Sequence, residues 1–131
     1  MEAKIKVLIA KPGLDGHEAG ARLIARVLIN AGMEVIYSGP RQSAEMIVNT
    51  AIDEDVDIIG LSILSGIHKE ASLSVLNLLK EKGAEDISVI VGGIIPVKDI
   101  PEMKKAGVKG VFGPGTNTNH VVEAIKQIVA N

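Results

Sequence analysis

Ile5-Lys6-Val7-Leu8-Ile9-Ala10 is a short, nearly continuous apolar run, and Lys11-Pro12-Gly13-Leu14-Asp15-Gly16-His17-Glu18-Ala19-Gly20 follows it as a polar loop broken by glycine. Beyond the loop, Leu23, Ile24, Val27 and Leu28 recur at helical spacing. Arg22 and Arg26 fall on another face, and Glu18 stands four residues before Arg22. The stretch therefore reads as strand, loop and helix, the repeating unit of a parallel α/β sheet. Asp15 and His17 can both do metal chemistry. Neutral imidazole is the commonest transition-metal ligand, and a ligating histidine usually gives its other N–H to a carboxylate. Spacing alone leaves two readings open: a ligand pair, or two solvated residues of a polar loop.

The same alternation recurs along the chain. Strands are expected at Val7-Leu8-Ile9-Ala10, Val35-Ile36-Tyr37, Ile58-Ile59-Gly60-Leu61-Ser62, Val89-Ile90-Val91 and Val108-Lys109-Gly110-Val111-Phe112. They are short and rich in β-branched residues, as strands buried on both faces should be. Helices are expected over about 18–30, ending at Gly32, and after Ser43, a natural N-cap ahead of Ile47, Val48, Ala51 and Ile52. A third over about 69–82 should bury Leu73, Leu76 and Leu79. A short fourth runs from Pro101 to Gly107, and a last spans about 119–130. Strict βα alternation implies parallel strands, right-handed crossovers and helices on both faces. The fold class expected is α/β: a flavodoxin-like, doubly wound, five-stranded parallel sheet of order 2-1-3-4-5, one domain over residues 1–131. Ligands of such sheets bind beyond the carboxyl ends of the strands, at the switch point between strands 1 and 3. That brings residues 11–20 beside residues 62–66.

Composition narrows the function classes. The chain has 131 residues, 47% of them hydrophobic but only 2% aromatic, so its core is built of Ile, Val, Leu and Ala. Net charge is −2 with no basic cluster, and stacking aromatics are scarce, which argues against nucleic acid. Zero cysteines exclude disulfides, thiolate metal sites and cysteine nucleophiles. With no secretory hydrophobic segment and no apolar run long enough to span a bilayer, a cytoplasmic protein is expected, without membrane contact.

Gly13, Gly16 and Gly20 do not fit the G-x-G-x-x-G spacing of a dinucleotide site, and no Walker loop is present. A phospho-accepting receiver domain would carry Asp at the end of strand 3, where this chain has Ser62, and an acidic pair where it has Lys11 and Pro12. Small residues gather instead where strands end: Ser62, Ser65 and Gly66; Gly92-Gly93; Gly113-Pro114-Gly115-Thr116. Turns of this kind are often glycine-rich, but three on one rim suggest a slot running into the sheet edge, open to something long and flat.

Asp15-Gly16-His17-Glu18-Ala19-Gly20 fits D-x-H-x-x-G, Ser62-Ile63-Leu64 fits S-x-L, and Gly92-Gly93 fits the later G-G. Taken together these resemble the cobalamin-binding domain of B12-dependent mutases and corrinoid proteins. Residues 10–17, 60–66, 91–96 and 112–116 are most similar to methylmalonyl-CoA mutase. The resemblance implies that His17 is the lower axial ligand to cobalt in place of the cofactor's own base. Asp15 would accept the proton of its other ring nitrogen, and Lys11 would pair with Asp15. The displaced nucleotide tail would pass Ser62, Leu64, Ser65, Gly92 and Gly93, with Gly115 and Thr116 further down. Gly13, Leu14, Gly16 and Gly20 would shape the loop, and Phe112 is either a tail contact or the inward end of strand 5. His68, at a predicted helix start, is expected as a solvated cap, with the alternative that it faces the cobalamin or a partner, and His120 is expected on the surface.

The family's cofactor is adenosylcobalamin, whose cobalt–carbon bond carries a radical 1,2-rearrangement of an acyl-CoA. The substrate site in such mutases is a (β/α)₈ barrel, which needs roughly 250 residues. This chain would then be the small cofactor-binding subunit beside a larger barrel subunit. Two alternatives share the motifs: a corrinoid methyl carrier of a methyltransferase system, and the small subunit of an isobutyryl- or 2-hydroxyisobutyryl-CoA mutase.

Overall fold

A computed structural model describes residues 4–13, 17–113 and 115–130. The expected strands form at β1 (Lys6–Ala10), β2 (Glu34–Tyr37), β3 (Ile58–Ile63), β4 (Ser88–Gly93) and β5 (Gly110–Phe112). Between and after them come α1 (Ala19–Asn30), α2 (Ala44–Asp53), α3 (His68–Glu81), α4 (Ile100–Ala106) and α5 (Thr118–Ala130). All strand pairs are parallel and the order is β2-β1-β3-β4-β5, as the alternation requires. β5 is shorter than expected: Val108 and Lys109 precede it, although the Lys109 N–H already reaches the Val89 carbonyl at 2.8 Å.

The period of two along each strand feeds two cores. Leu8, Ile59, Leu61, Val89 and Val91 face α2, α3 and α4, meeting Ile47, Val75 and Met103. Val7, Ile9, Ile58 and Ile90 face α1 and α5, meeting Ala21, Leu28, Val122 and Ile125. Local signals place the helix ends. Ser43 Oγ accepts the Met46 N–H at 3.1 Å as the N-cap of α2, and Gly107, at φ +125°, closes α4.

The expected faces of α1 and α3 pack on the cores through Ile24, Val27 and Leu28 and through Leu76 and Leu79, but one leucine of each departs. In α1 the buried residues are Ala21, Ala25 and Leu28, while Leu23 is 59% exposed. Two alanines let this helix lie close against the sheet, which turns Leu23 toward its rim. In α3 the buried positions include Ala71, Ser72, Val75 and Leu79, and Leu73 is 44% exposed. A count of large apolar residues overlooks the small ones that close approach requires.

At the outer strand, the Tyr37 hydroxyl donates to the Glu18 carboxylate at 2.6 Å. Arg22 meets the same carboxylate at 3.4 Å and lies over the tyrosine ring. Glu18 is the residue just before α1, so this cluster pins the start of that helix to the end of β2. The Tyr37 hydrogen bond and, more weakly, Arg22 hold the Glu18 carboxyl below its ordinary range. Partial burial and the neighbouring carboxylate push the Tyr37 phenol up to about 12.

The tightest backbone approach lies at the other end of the sheet. Ile63 and Gly93 are register partners, and Gly93 sits at φ +134° with its missing side chain directed at the Ile63 carbonyl. Gly93→Ala should therefore cost about 3 kcal/mol or more in urea-induced unfolding, combining left-handed strain with a backbone clash; an unchanged midpoint would contradict this geometry. Tyr37 is the sole tyrosine and there is no tryptophan, so its ionisation can be followed by ultraviolet absorbance after a rapid pH jump. The native midpoint should fall near 12 against an ordinary 10, and drop in Glu18→Gln. Because the folded chain keeps this proton longer, its contribution to stability is complete below pH 10 and is lost between 10 and about 12.

Candidate cofactor site

On the α1/α5 face the carboxyl ends of the strands carry almost no side chains. Ile58, Gly60 and Ser62 of β3, and Ile90 and Gly92 of β4, point that way by strand alternation. The result is a cavity of about 270 Å³ between the sheet and the two helices. Ile9, Gly60 and Ile90 form its floor; Gly20, Leu23 and Ile24 of α1 and Thr118 and Val121 of α5 form its walls. A Cβ added at Gly60 would come within 2.9 Å of the Ile9 side chain, whereas one at Gly92 would meet only the Phe112 carbonyl, at 3.7 Å. Gly60 thus sets the depth of the slot and Gly92 its free width. Phe112 folds back over Gly110, its ring 3.1 Å from where a Cβ would stand, and His120 meets that ring edge-on.

Eight of the residues picked out from sequence meet in this slot: Gly20, Ser62, Leu64, Gly92, Gly93, Phe112, Gly115 and Thr116. Thr116 Oγ1 donates to the Gly113 carbonyl at 2.7 Å and shapes the last turn. Phe112 is both the end of β5 and part of the slot lining. Lys11 is fully buried, its Nζ 2.7 Å from the Ser62 carbonyl oxygen and 3.4 Å from Ser62 Oγ. A buried ammonium is tolerable only when hydrogen-bonded, so this contact ties the end of β1 to the end of β3.

Gly13 and Ser65 do not line the slot. Gly13, at φ +74°, lies under Ile67 in a separate recess with Pro12, Arg41 and Gln42, and Ser65 is exposed. His17 is exposed at the carboxyl end of the sheet, one residue before the anchored Glu18. Leu14, Asp15 and Gly16 lie outside the described residues, and with them the expected pairings of Asp15 with His17 and Lys11. Among the described residues no group of three or more His, Cys, Asp or Glu could hold a metal ion. One histidine suffices for a metal that arrives with a macrocycle supplying its other ligands.

Two features were not foreseen. Gly60 was read only as part of a strand, although a glycine inside a β-branched run signals close approach. His68, expected as a solvated cap, is 5% exposed and its Nε2 lies 2.7 Å from Asp99 Oδ2. Asp99, 7% exposed, sits at the start of α4, so the charge that makes burial of His68 tolerable comes from 31 residues away.

Comparison with known proteins identifies the family. Residues 5–123 match the family model for the B12 binding domain. The chain is 44% identical over 129 residues to the small subunit of 2-hydroxyisobutanoyl-CoA mutase from Aquincola tertiaricarbonis, covering 98% of this chain and 95% of that one. It is 41% identical to the pivalyl-CoA mutase small subunit of Xanthobacter autotrophicus, covering 92% and 81%. It is 40% identical to methylmalonyl-CoA mutase of Cereibacter sphaeroides, but there 93% of this chain spans only 18% of the relative. Among solved structures, a cobalamin-binding protein from Desulfitobacterium hafniense superposes with a TM-score of 0.80 at 23% identity, over 95% of this chain and 59% of that one. A response-regulator receiver domain from Mycobacterium tuberculosis reaches 0.75 at 14% identity, over 99% of each chain. Likeness at that level shows a shared fold alone, and Ser62 stands where the receiver reading needs its Asp. Motifs, slot and sequence similarity agree: this chain belongs to the B12-binding domain family.

Proposed function

We propose that this chain is the cobalamin-binding small subunit of an adenosylcobalamin-dependent acyl-CoA mutase, with His17 as the lower axial ligand to cobalt. The observation that carries the reading is the slot floored by Ile9, Gly60 and Ile90, flanked by Gly92, and bordered by Gly20, the last residue of the D-x-H-x-x-G motif. When bound, the cofactor supplies a weak cobalt–carbon bond for a carbon-skeleton rearrangement. The chain's own residues hold and orient. His17 would hold cobalt in place of the cofactor's base, Asp15 would take the proton on its other ring nitrogen, and Lys11 would pair with Asp15, as the motif implies. The slot receives the displaced tail among Gly20, Ser62, Leu64, Gly92, Gly93, Phe112, Gly115 and Thr116 and keeps water from it. Gly13, Leu14, Gly16 and Ser65 would add the further cofactor contacts that the resemblance implies.

The partner is a larger barrel subunit that binds the acyl-CoA. Support comes from the relatives. Those of similar length are named as small subunits, whereas in methylmalonyl-CoA mutase of Cereibacter sphaeroides the matching part is under a fifth of the chain. The full-length relatives act on branched acyl groups by name, which favours a 2-hydroxyisobutyryl- or related branched acyl-CoA as substrate. Residues 1–131 are read as one cobalamin-binding domain working in the cytoplasm; no described helix is long and apolar enough to cross a membrane.

Gly92→Leu tests the slot. It should leave the far-ultraviolet circular dichroism unchanged and weaken cobalamin binding, read from the cofactor's absorbance, by about tenfold or more, because the added side chain fills space the tail requires. Wild-type affinity in Gly92→Leu would contradict the slot assignment. Mixed with a large mutase subunit and adenosylcobalamin, the chain should restore rearrangement of a branched acyl-CoA. Full turnover by the large subunit without this chain would contradict the split-enzyme reading.

A further inference from the structure

β3 and β4 leave the sheet in contact at Ile63 and Gly93, where no side chain fits between them. Their chains then part into two rim segments, 64–67 and 94–96, and meet again at His68 and Asp99. The first segment begins with Leu64, and the second follows Gly92-Gly93, all of which line the slot. Each segment also exposes a large apolar side chain, Leu64 and Ile94, and Val97 stands out beyond them. Both ends of this frame are fixed, one by backbone approach and the other by a buried charged hydrogen bond.

The second fixing point is chemically expensive. His68 and Asp99 are both buried, Lys69 supports the same carboxylate at 3.7 Å, and buried His68 Nδ1 has no hydrogen-bond partner among the described residues. Replacing such a pair by apolar residues is often neutral or stabilising, and an unsatisfied buried nitrogen adds to the cost. What a leucine pair would not supply is direction: a charge-assisted bond of 2.7 Å sets the distance between the first residue of α3 and the start of α4. Ser72 Oγ, donating to the His68 carbonyl at 2.7 Å, stiffens the same turn of α3.

We infer that His68 and Asp99 are a positioning pair that holds the 64–67 and 94–96 segments at the spacing the cofactor needs, so that the mouth of the slot is set by a bond outside it. The pair touches neither the cobalt nor the tail; it acts through Leu64 and Gly93. This rests on the cobalamin reading above, and the test separates the two.

The test compares cobalamin affinity with the thermal midpoint of the cofactor-free protein in three variants. Asp99→Ala removes the bond and should weaken binding by about tenfold, the equivalent of one charge-assisted hydrogen bond. Asp99→Asn keeps an acceptor for the His68 N–H and should restore most of that affinity. Val75→Ala, in the buried face of α3 and away from the rim, should lower the thermal midpoint yet bind like wild type. Wild-type affinity in Asp99→Ala would overturn the inference. So would equal losses in Asp99→Ala and Asp99→Asn, or an affinity loss in Val75→Ala in proportion to its instability, since each makes the pair merely structural. Failure of the wild-type chain to bind cobalamin at all would overturn the cofactor reading, and this inference with it.

Discussion

A sheet covered on both faces has no room for a ligand unless side chains are withheld from it, and in this chain they are withheld on one face and at one end. Gly60, Gly92 and Gly110 lie on three strands where β-branched residues would otherwise complete the core beneath α1 and α5. The opposite face, packed by Ile59, Leu61, Val89 and Val91, is continuous and carries the stability that the slotted face gives up. The remaining features of the site depend on that division. Ala21 and Ala25 bring α1 down to wall the slot, Phe112 folds over Gly110, and the strand ends are tied together by Lys11 and Ser62.

Polar contacts around the slot reinforce, at the carboxyl end of the sheet, elements that already meet in the sheet or its cores. Tyr37 and Glu18 fix the first turn of α1 to β2, Lys11 fixes β1 to β3, and His68 and Asp99 fix α3 to α4. Each lies at the carboxyl end of the sheet, where strands give way to loops and apolar packing is thinnest. In the proposed role of cobalt ligand, His17 would gain precision from its place one residue before the anchored Glu18 carboxylate.

The sheet was legible in the sequence because β-branched runs alternate with helical spacing and because parallel topology permits few strand orders. The slot was legible in outline from the small residues at three strand ends. Helix faces were legible in part. Ile24, Val27, Leu28, Leu76 and Leu79 pack as their spacing requires. Leu23 and Leu73 are exposed while Ala21, Ala25, Ala71 and Ser72 are buried, since burial beside a flat sheet rewards small side chains as well as large ones. Gly60 hid inside a strand that read as uninterrupted. His68 was misread because its partner, Asp99, is distant in sequence, and only the return of β4 beside β3 brings them together. The expected bonds of Asp15 fall outside the described residues, so the triad of Lys11, Asp15 and His17 rests on the motif and on the settings of its two ends.

The central claim is that a nitrogen of this protein, and not of the cofactor, lies on cobalt. The direct measurement is the electron paramagnetic resonance spectrum of cob(II)alamin bound to protein labelled with nitrogen-15 in its histidines. The account predicts that the nitrogen splitting on cobalt changes from the pattern of nitrogen-14 to that of nitrogen-15, and that it disappears in His17→Ala. A splitting that ignores the label would mean that the cofactor keeps its own base, and would contradict the role of His17 as the axial ligand.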